Sequence, residues 1–225
     1  MLTSSLASFR QGKFAVLYDS SDREGEADLV LHASFASSKA IQTLRKDAGG
    51  LICFATSSEM LKKTGLDYTT NMLQSSNVST VKEMVSTKTP YGDSPAFSIW
   101  VNHKKTFTGI TDIDRAKTFS ELAKLVSSKD AKRALIENFY TPGHVPLLFA
   151  RDIKKRKGHT ELVVALSQLA KMPAAVIICE MLGNGSALSF VDAKKYAKKN
   201  KIPFIEGKQI FNQLINNKSG ESNGL

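Results

Sequence analysis

Two short apolar runs near the start of the chain are separated by a polar stretch. FAVLYDS at Phe14–Ser20 and DLVLHA at Asp28–Ala33 have the length and apolar content of β-strands. The stretch between them contains Gly25, a residue suited to a turn. The pattern therefore predicts a hairpin with a loop long enough to carry a function.

A helix followed by a strand is the next predicted unit. SSKAIQTLRKDA has an amphipathic helical pattern that stops at Gly49 and Gly50, and the apolar run LICFA that follows predicts a strand. The polar section over 57–91 predicts little beyond a helix at Glu59–Lys63. FSIWVNH at Phe97–His103 alternates as a strand does.

The second half of the chain continues this alternation. Apolar runs predict strands over 145–150 and 174–180, and helical periodicity covers 118–128, 158–170 and 191–200. The first of these helices should open with a capping box, because Thr118 precedes Glu121 by three residues. In the second, Leu162, Leu166 and Leu169 share one face.

These elements predict one α/β (α+β) domain over residues 1–215 with a mixed sheet, because a hairpin is combined with interleaved helices and strands. The polar segment NNKSGESNGL at 216–225 predicts a disordered tail. A chain of 225 residues with 42% hydrophobic content is able to bury the core of such a domain.

Composition argues against a membrane or secreted protein. The longest apolar run, Ala174–Cys179, is far shorter than the roughly 20 residues of a membrane helix. The N-terminal segment has no basic stretch followed by a long apolar one, as a secretory signal would have. Cys53 and Cys179 lie within apolar sequence and are expected to be reduced packing residues. The cytoplasm is the expected compartment.

The overall charge indicates an anionic partner. A formal net charge of +10 and a pI near 9.5 suit either nucleic acid or a small phosphorylated molecule. Basic residues are concentrated at Lys154–Lys157 and Lys194–Lys201, where solvated protein surface is the simpler interpretation. Charge alone does not choose between these partners.

The stretch DREGEAD places a carboxylate at every second position, which is unusual in so basic a chain. If the stretch is extended, its period of two puts Asp22, Glu24, Glu26 and Asp28 on one face. Like charges at this spacing raise one another's pKa or recruit a cation, and carboxylate oxygens suit magnesium or calcium. A solvated acidic loop is the alternative interpretation.

The stretch RKGHTE lies at the head of a predicted helix. A helix N-terminus presents free N–H groups and the positive end of a dipole, and here Arg156, Lys157 and the Thr160 hydroxyl accompany it. That composition predicts a phosphate-binding site. His159 in the same turn is a candidate metal ligand or proton carrier, or simply a hydrogen-bonding residue of the helix start.

Three further features add candidates of weaker individual weight. Glu180 closes an apolar strand, where carboxylates often face a ligand crevice. His144 follows a Pro-Gly pair in a predicted turn, and TFTGITDIDRAKT places hydroxyls around Gly109 that suit either phosphate contacts or turns. Together the candidates match the inventory of a metal-assisted enzyme acting on a phosphorylated substrate.

Six blocks of the sequence, in order, resemble one known family. The blocks are DREGEADLV, RKDAGGLICFA, KTFTGITDIDRAKT, TPGHV, RKGHTE and ICEM. From about Phe9 to Ile210 the chain resembles 3,4-dihydroxy-2-butanone 4-phosphate synthases, most closely the archaeal members. The resemblance implies a riboflavin-pathway lyase that converts D-ribulose 5-phosphate to L-3,4-dihydroxy-2-butanone 4-phosphate and formate.

The resemblance also implies a fold, an assembly and a metal. The expected fold is a single-domain three-layer sandwich with a mixed sheet, and the expected assembly is a homodimer with active sites at the subunit interface. The expected cofactor is Mg²⁺, with Mn²⁺ as the alternative and one or two ions per site. The expected metal ligands are Glu24 and His159, with Glu26 helping to hold a second ion.

The remaining roles are carried over by motif. Catalysis is assigned to His144 and Glu180, and Cys53 occupies a position near the family's active site. Substrate binding is assigned to Arg23, Glu24, Asp28, Thr108, Arg156, Lys157, Gly158, His159, Thr160 and Glu180. Lys157 departs from the glycine of many bacterial members, and Asp22 receives no role.

Two other functions stay open at the level of sequence. One is a basic nucleic-acid-binding module, suggested by the net charge and the run KKRK, although the acidic motif does not suit a phosphate backbone. The other is a different metal-dependent phosphosugar isomerase or aldolase, which would share the same side chains. The chain length leaves no room for the GTP cyclohydrolase domain fused in some relatives, so a monofunctional enzyme is expected.

Overall fold

A seven-stranded mixed sheet in the order β4-β5-β3-β6-β2-β1-β7 forms the centre of the protein. The computed structural model describes residues 2–221, with side chains described for 2–216. Strands β1/β7 and β3/β5 pair in parallel, and the other neighbours pair antiparallel. The strands are β1 Ala15–Tyr18, β2 Ala27–His32, β3 Cys53–Thr56, β4 Phe97–His103, β5 Phe139–Phe149, β6 Ala175–Glu180 and β7 Phe204–Glu206.

Ten α-helices accompany the sheet in the described part of the chain. They are α1 Leu2–Arg10, α2 Ser38–Thr43, α3 Ser58–Thr64, α4 Thr69–Gln74, α5 Ser79–Met84, α6 Asp112–Val126, α7 Ala131–Asn138, α8 His159–Leu169, α9 Phe190–Asn200 and α10 Gly207–Glu221. A π-helical turn at Leu44–Ala48 continues α2 and ends at Gly49 in the left-handed conformation, which confirms the predicted stop.

The sheet buries both of its faces. In β6, Ile177 and Cys179 join one hydrophobic cluster, while Val176 and Ile178 join a second cluster on the opposite face. The first cluster includes buried side chains of α2, α3, α6, α7 and α9, and the second includes those of α1, α8 and α10. The two helical layers around one sheet confirm the three-layer α+β sandwich.

The predicted N-terminal hairpin is confirmed. Strands β1 and β2 pair antiparallel, with Tyr18 opposite Ala27. The connection over 19–26 carries most of the acidic motif, and β2 continues into the centre of the sheet beside β6. The hairpin therefore holds the acidic loop at one end of the two central strands.

One predicted helix start is wrong. Helix α6 begins at Asp112, and its N-cap is Thr111, whose side chain accepts a hydrogen bond from the Asp114 N–H. Thr118 lies inside the helix, where its buried hydroxyl donates to the Asp114 carbonyl and accepts from the N–H of His103. Thr118 therefore connects α6 to β4 instead of capping a helix.

Strand β5 also begins earlier than predicted. It runs over Phe139–Phe149 and so includes the TPGHV block, which the sequence had predicted as a turn. The peptide bond between Thr141 and Pro142 is cis, and a register shift against β4 lies in this region. Gly143 packs directly on the backbone of Val101, where a Cβ atom would lie 2.1 Å from a backbone carbon.

The polar section over 57–91 contains three short helices, of which α3 confirms the helix predicted at Glu59–Lys63. At the C-terminus, α10 extends over 216–221 of the segment predicted to be disordered, and 222–225 lie outside the described residues. Within the described residues, no helix is both long enough and apolar enough to cross a membrane.

Candidate active site

Asp28 on β2 and Glu180 on β6 are paired directly across two antiparallel strands. Both lie on the sheet face that carries Val30 and Ile178, which is the face covered by α8. The first residue of that helix, His159, places its Nε2 atom 3.8 Å from the Asp28 carboxylate. Two strand ends and one helix start therefore bring together residues from three distant blocks of the sequence.

The acidic loop is a turn, so its alternating carboxylates do not share one face in the way that an extended stretch would arrange them. Buried Asp19 accepts hydrogen bonds from the backbone N–H groups of Glu24 and Glu26, at 3.2 and 3.1 Å. Gly25 takes a positive φ of 67°, which suits this tight path. Glu24, Glu26 and Asp28 nevertheless line the same cavity, whereas Asp22 is exposed.

Both ring nitrogens of His159 face hydrogen-bond acceptors. Nδ1 lies 3.1 Å from the Glu24 carboxylate, and Nε2 lies 3.2 Å from the Glu26 carbonyl oxygen. Only the doubly protonated imidazolium can donate to both acceptors. Burial opposes that charge, but Asp28, Glu24 and Asp19 outweigh it and raise the pKa of His159 to about 9.

The carboxyl groups of Glu24 and Asp28 have very different pKa values. Burial alone would raise the pKa of Glu24, but hydrogen bonds from His159 and Tyr91 lower it to about 2. Burial raises the pKa of Asp28 to about 7, against the attraction of His159 and with a contribution from Glu180. Glu24 is therefore held in its ionised form, while Asp28 takes up a proton much more readily than an exposed aspartate does.

The residues of the cluster fit a divalent cation. Ligand atoms of Asp19, Glu24 and His159 all lie within 4.8 Å of one another. Two ligands at a right angle around an ion at roughly 2.1 Å would be about 3.0 Å apart, close to the 3.1 Å between Glu24 and His159. Asp19 already accepts from Arg23 and the loop N–H groups, so it suits the role of orienting the loop.

Two arginines lie at the N-terminal end of α8, beside the carboxylate cluster. Arg156 is buried and pairs with Glu161 in the first turn of α8, while Arg23 pairs with Asp19 and Glu24. Gly158 allows both guanidinium groups to approach the helix start, since a Cβ atom there would lie 2.6 Å from Arg156 and 2.8 Å from Arg23. Gly158 also provides no side-chain cap, which leaves first-turn N–H groups for an anion.

A cavity of about 410 Å³ lies between the carboxylate and arginine sides. Its walls include the strand-end residues Asp28 and Glu180 and the helix-start residues His159 and Thr160. The segment at 89–97 contributes Thr89, Tyr91, Pro95, Ala96 and Phe97. The cavity therefore combines a cation-binding side with an anion-binding side over a space that suits a small polar substrate.

Comparison with known proteins decides the family. The family model for 3,4-dihydroxy-2-butanone 4-phosphate synthase matches residues 3–213. The chain belongs to this family.

Curated members of the family cover almost the whole chain. The 3,4-dihydroxy-2-butanone 4-phosphate synthase of Methanothermobacter thermautotrophicus is 37% identical over 221 residues, which is 96% of both chains. That of Archaeoglobus fulgidus is 39% identical and covers 92% of this chain and 90% of its own. The archaeal resemblance seen in the sequence blocks is thereby confirmed.

A solved structure confirms the fold. A 3,4-dihydroxy-2-butanone 4-phosphate synthase in complex with two magnesium ions superposes with a TM-score of 0.76 at 24% identity, covering 95% of each chain. The synthase family membership gives no support to the nucleic-acid-binding alternative. The structure also weakens that alternative, because Arg156 of the KKRK run is buried against Glu161.

Five residues that the family resemblance assigned to the site do not line the cavity, among the residues that the structure describes; they are Arg23, Thr108, His144, Lys157 and Gly158. Arg23 and Gly158 nevertheless lie beside Arg156 at the start of α8. Lys157 lies over the Phe211 ring at 5.1 Å. Thr108 is exposed in a turn whose N–H groups donate to the Asp114 carboxylate. His144 is exposed on β5.

Asn102 holds His144 in one orientation. The Asn102 Oδ1 atom accepts from the His144 backbone N–H at 2.8 Å, which directs the amide Nδ2 toward His144 Nδ1 at 3.0 Å. Because the amide group donates, Nδ1 accepts, and the neutral ring carries its proton on Nε2. Gly109 packs on the same amide, so the TFTGITD turn and His144 form one cluster.

The cysteines behave as the sequence predicts. Cys53 and Cys179 are both free thiols, and both are fully buried. Burial raises the pKa of the Cys179 thiol to about 12 and that of Cys53 above its ordinary value. Both are therefore unreactive packing residues at neutral pH.

Several residues of the synthase site were missed by sequence reasoning. Asp19 organises the acidic loop, Asn102 orients His144, and Glu161 neutralises Arg156. Tyr91 donates to Glu24, and Asp93 contacts both arginines. All except Glu161 are single polar residues outside the concentrated motifs. The one available signal was the position of Glu161 within RKGHTE.

Proposed function

We propose that the protein converts D-ribulose 5-phosphate to L-3,4-dihydroxy-2-butanone 4-phosphate and formate. The observation that carries this conclusion is the Asp28–Glu180 pair beside the Glu24–His159 pair in one cavity, which Arg156 also lines. Arg23 lies next to Arg156 at Gly158. This arrangement provides separate places for a cation, a phosphate group and proton transfer. It matches the activity named for the curated relatives.

Glu24 and His159 would hold the divalent ion. A bound ion would act as a Lewis acid that neutralises negative charge developing on neighbouring substrate oxygens. The mixed carboxylate and imidazole donors suit Mg²⁺ or Mn²⁺, and we favour Mg²⁺. Glu26 lines the same cavity and is the residue that would help to hold a second ion.

The arginine side would bind the phosphate group of the substrate. Arg23, Arg156 and the first-turn N–H groups at Gly158 and Thr160 converge there. Guanidinium groups bind phosphate oxygens through charge-assisted hydrogen bonds, and a helix start favours an anion. The sugar carbons would then extend toward Asp28 and Glu180.

Asp28 and Glu180 would act on the sugar itself. Asp28, with its pKa near 7, can accept or donate hydrogen bonds to substrate hydroxyls. Glu180 accepts from the Leu51 N–H at 2.8 Å, which directs its carboxylate along the sheet end. We assign proton transfer to Glu180 and to His144, the other residue that the family resemblance implies for catalysis.

We propose a homodimer in which each active site is completed by the second copy. His144 and Thr108 lie outside the cavity wall of their own chain, yet they belong to one cluster around Asn102. The adjoining turn and the first turn of α6 expose Phe107, Ile110 and Ile113 by 94%, 49% and 73%. So much exposed apolar surface in one short segment is typical of an interface.

A reducing cytoplasm suits the two free cysteines, and we propose it as the compartment.

Product analysis tests the proposed reaction. Incubation of the protein with D-ribulose 5-phosphate and Mg²⁺ should convert the substrate's phosphorus NMR signal to that of a four-carbon phosphate, and formate should appear in the proton spectrum. A chelator should stop both changes. A five-carbon phosphate as the product would instead identify an isomerase. Cleavage into two smaller carbon fragments, only one of them phosphorylated, would identify an aldolase.

A further inference from the structure

A short turn of the chain lies across the two arginines of the anion-binding side. Thr89 and Asp93 close this turn, since the Thr89 N–H donates to the Asp93 carbonyl at 2.8 Å. Gly92 within it takes a positive φ of 88°. The Asp93 carboxylate lies 2.9 Å from Arg23 Nε and 3.8 Å from Arg156 Nε through the same oxygen. One carboxylate therefore bridges two guanidinium groups.

The two arginines are incompletely paired even with Asp93 in place. The Nη2 atom of Arg23 and the Nε atom of Arg156 are buried and have no hydrogen-bond partner in the described part of the chain. Unpaired buried donors on charged groups are costly. Because a Cβ atom at Gly158 would collide with both guanidiniums, the glycine is what allows them to lie together at the helix start. The position therefore suits an anion with more oxygens than one carboxylate provides.

We propose that Asp93 is a placeholder for the substrate's phosphate group. The proposal rests on the assignment of Arg23 and Arg156 to phosphate binding under the proposed function. In the free protein the Asp93 carboxylate occupies the position between the two arginines. A phosphate dianion, with three oxygens and about two charges, displaces it and pairs the donors that Asp93 leaves unpaired.

Such an exchange makes Asp93 a specificity residue. A ligand entering this position must replace an existing ion pair, so a weakly charged anion gains little while a phosphate dianion gains the additional hydrogen bonds. The displaced carboxylate belongs to the turn that also carries Tyr91, whose ring lies 4.9 Å from the Arg23 guanidinium carbon. Displacement of Asp93 therefore removes the ion pairs that hold the turn over 89–93 to the arginines and leaves the weaker contact of Tyr91 with Arg23.

The test compares the binding of inorganic phosphate to the wild type and to Asp93→Asn by calorimetry at fixed ionic strength and pH. Removing the competing charge should make phosphate bind roughly fivefold more tightly or better. Asp22→Asn is the matched control, because it removes the same charge from an exposed position in the acidic loop. The control should change the dissociation constant less than twofold.

Equal or weaker phosphate binding by Asp93→Asn would overturn the proposal, since Asp93 would then only orient the arginines. Asp93→Ser provides a second variant if the first does not fold. In the wild type, saturating phosphate should accelerate hydrogen exchange of the amides at 90–93, and unchanged exchange would contradict release of the turn. Formate production by the wild type tests the enzymatic function separately, so either hypothesis can fail while the other stands.

Discussion

Glu24 Oε2 lies 3.1 Å from His159 Nδ1, although 135 residues separate them in the chain. The Glu26 carbonyl faces the other ring nitrogen, so the imidazole donates to both acceptors only when it is protonated at both positions. A divalent cation held by Glu24 and His159 would require the neutral ring, so its binding would remove a proton from His159. Cation binding would therefore replace the positive charge of the His159 proton with that of the ion. The side chains of Glu24 and His159 would need to move little.

Cation binding should release a proton from His159. Its pKa is raised to about 9, so the ring is charged at pH 7.5 and must become neutral to coordinate an ion. Calorimetric titration with Mg²⁺ in buffers of different ionisation enthalpy should give roughly one proton released per ion. Affinity should rise about tenfold per pH unit up to about 9 and level off above it. Glu24→Gln should weaken binding, and a pH-independent affinity would refute the exchange.

Glu180→Gln should separate binding from turnover. The amide keeps the size of the side chain but cannot accept a proton, so kcat should fall roughly a hundredfold or more while KM changes little. Glu137→Gln, on the exposed face of α7, is the matched control and should retain full activity. A Glu180→Gln enzyme with wild-type kcat would remove Glu180 from the proton-transfer role.

Gly50 should matter because it positions Glu180. A Cβ atom at residue 50 would lie 2.6 Å from the Glu180 carboxylate and 2.7 Å from its carbonyl oxygen. Gly50→Ala should therefore displace Glu180 and lower kcat roughly tenfold or more. Gly185→Ala is the control, because an added Cβ there meets nothing within 4 Å, although its φ of 79° carries some strain. Equal activities of the two variants would argue against a positioning role for Gly50.

Asn102 should control the tautomer of His144. Asn102→Asp replaces the amide donor with a carboxylate, which favours a proton on Nδ1 and adds a negative charge beside the ring. Loss of the donor that orients His144 should lower kcat roughly tenfold or more. The pH profile of kcat should shift to higher pH in the variant. A lower kcat with an unchanged pH profile would indicate that Asn102 supports only the local structure.

Subunit mixing should reveal a shared active site. If each site combines Glu180 of one copy with His144 of the other, His144→Ala and Glu180→Gln inactivate different halves of every site. Refolding an equal mixture should restore roughly a quarter of wild-type activity, because half of the dimers are mixed and each has one intact site. Mixtures no more active than either parent would contradict the shared site.

Much of the sheet could be predicted from the sequence. Strands β2 and β6 are short apolar runs bounded by charged residues, and their signal is strong because they are buried on both faces. The start of α6 was wrong because the chain contains a second Thr-x-x-acid pattern at Thr111–Asp114, and only packing against β4 selects between them. Helix α7 was missed because few of its eight residues are buried.

The site was predictable where its residues are concentrated. DREGEAD and RKGHTE were found because several charges occur together, and the structure brings both stretches to one cavity. The loop conformation was not predictable, because Asp19 bends it through backbone N–H groups. Asp93 and Asn102 are single residues whose partners lie 70 and 42 positions away. Only the folded chain relates such positions.

Formate release from D-ribulose 5-phosphate tests the central claim most directly. With Mg²⁺ present, the wild type should release one formate per four-carbon phosphate formed, and a chelator should abolish the release. Glu24→Gln and Glu180→Gln should each lose at least about 99% of this activity, whereas Glu137→Gln should keep it. Folded wild-type protein that consumes no ribulose 5-phosphate, or that consumes it without releasing formate, would contradict the account.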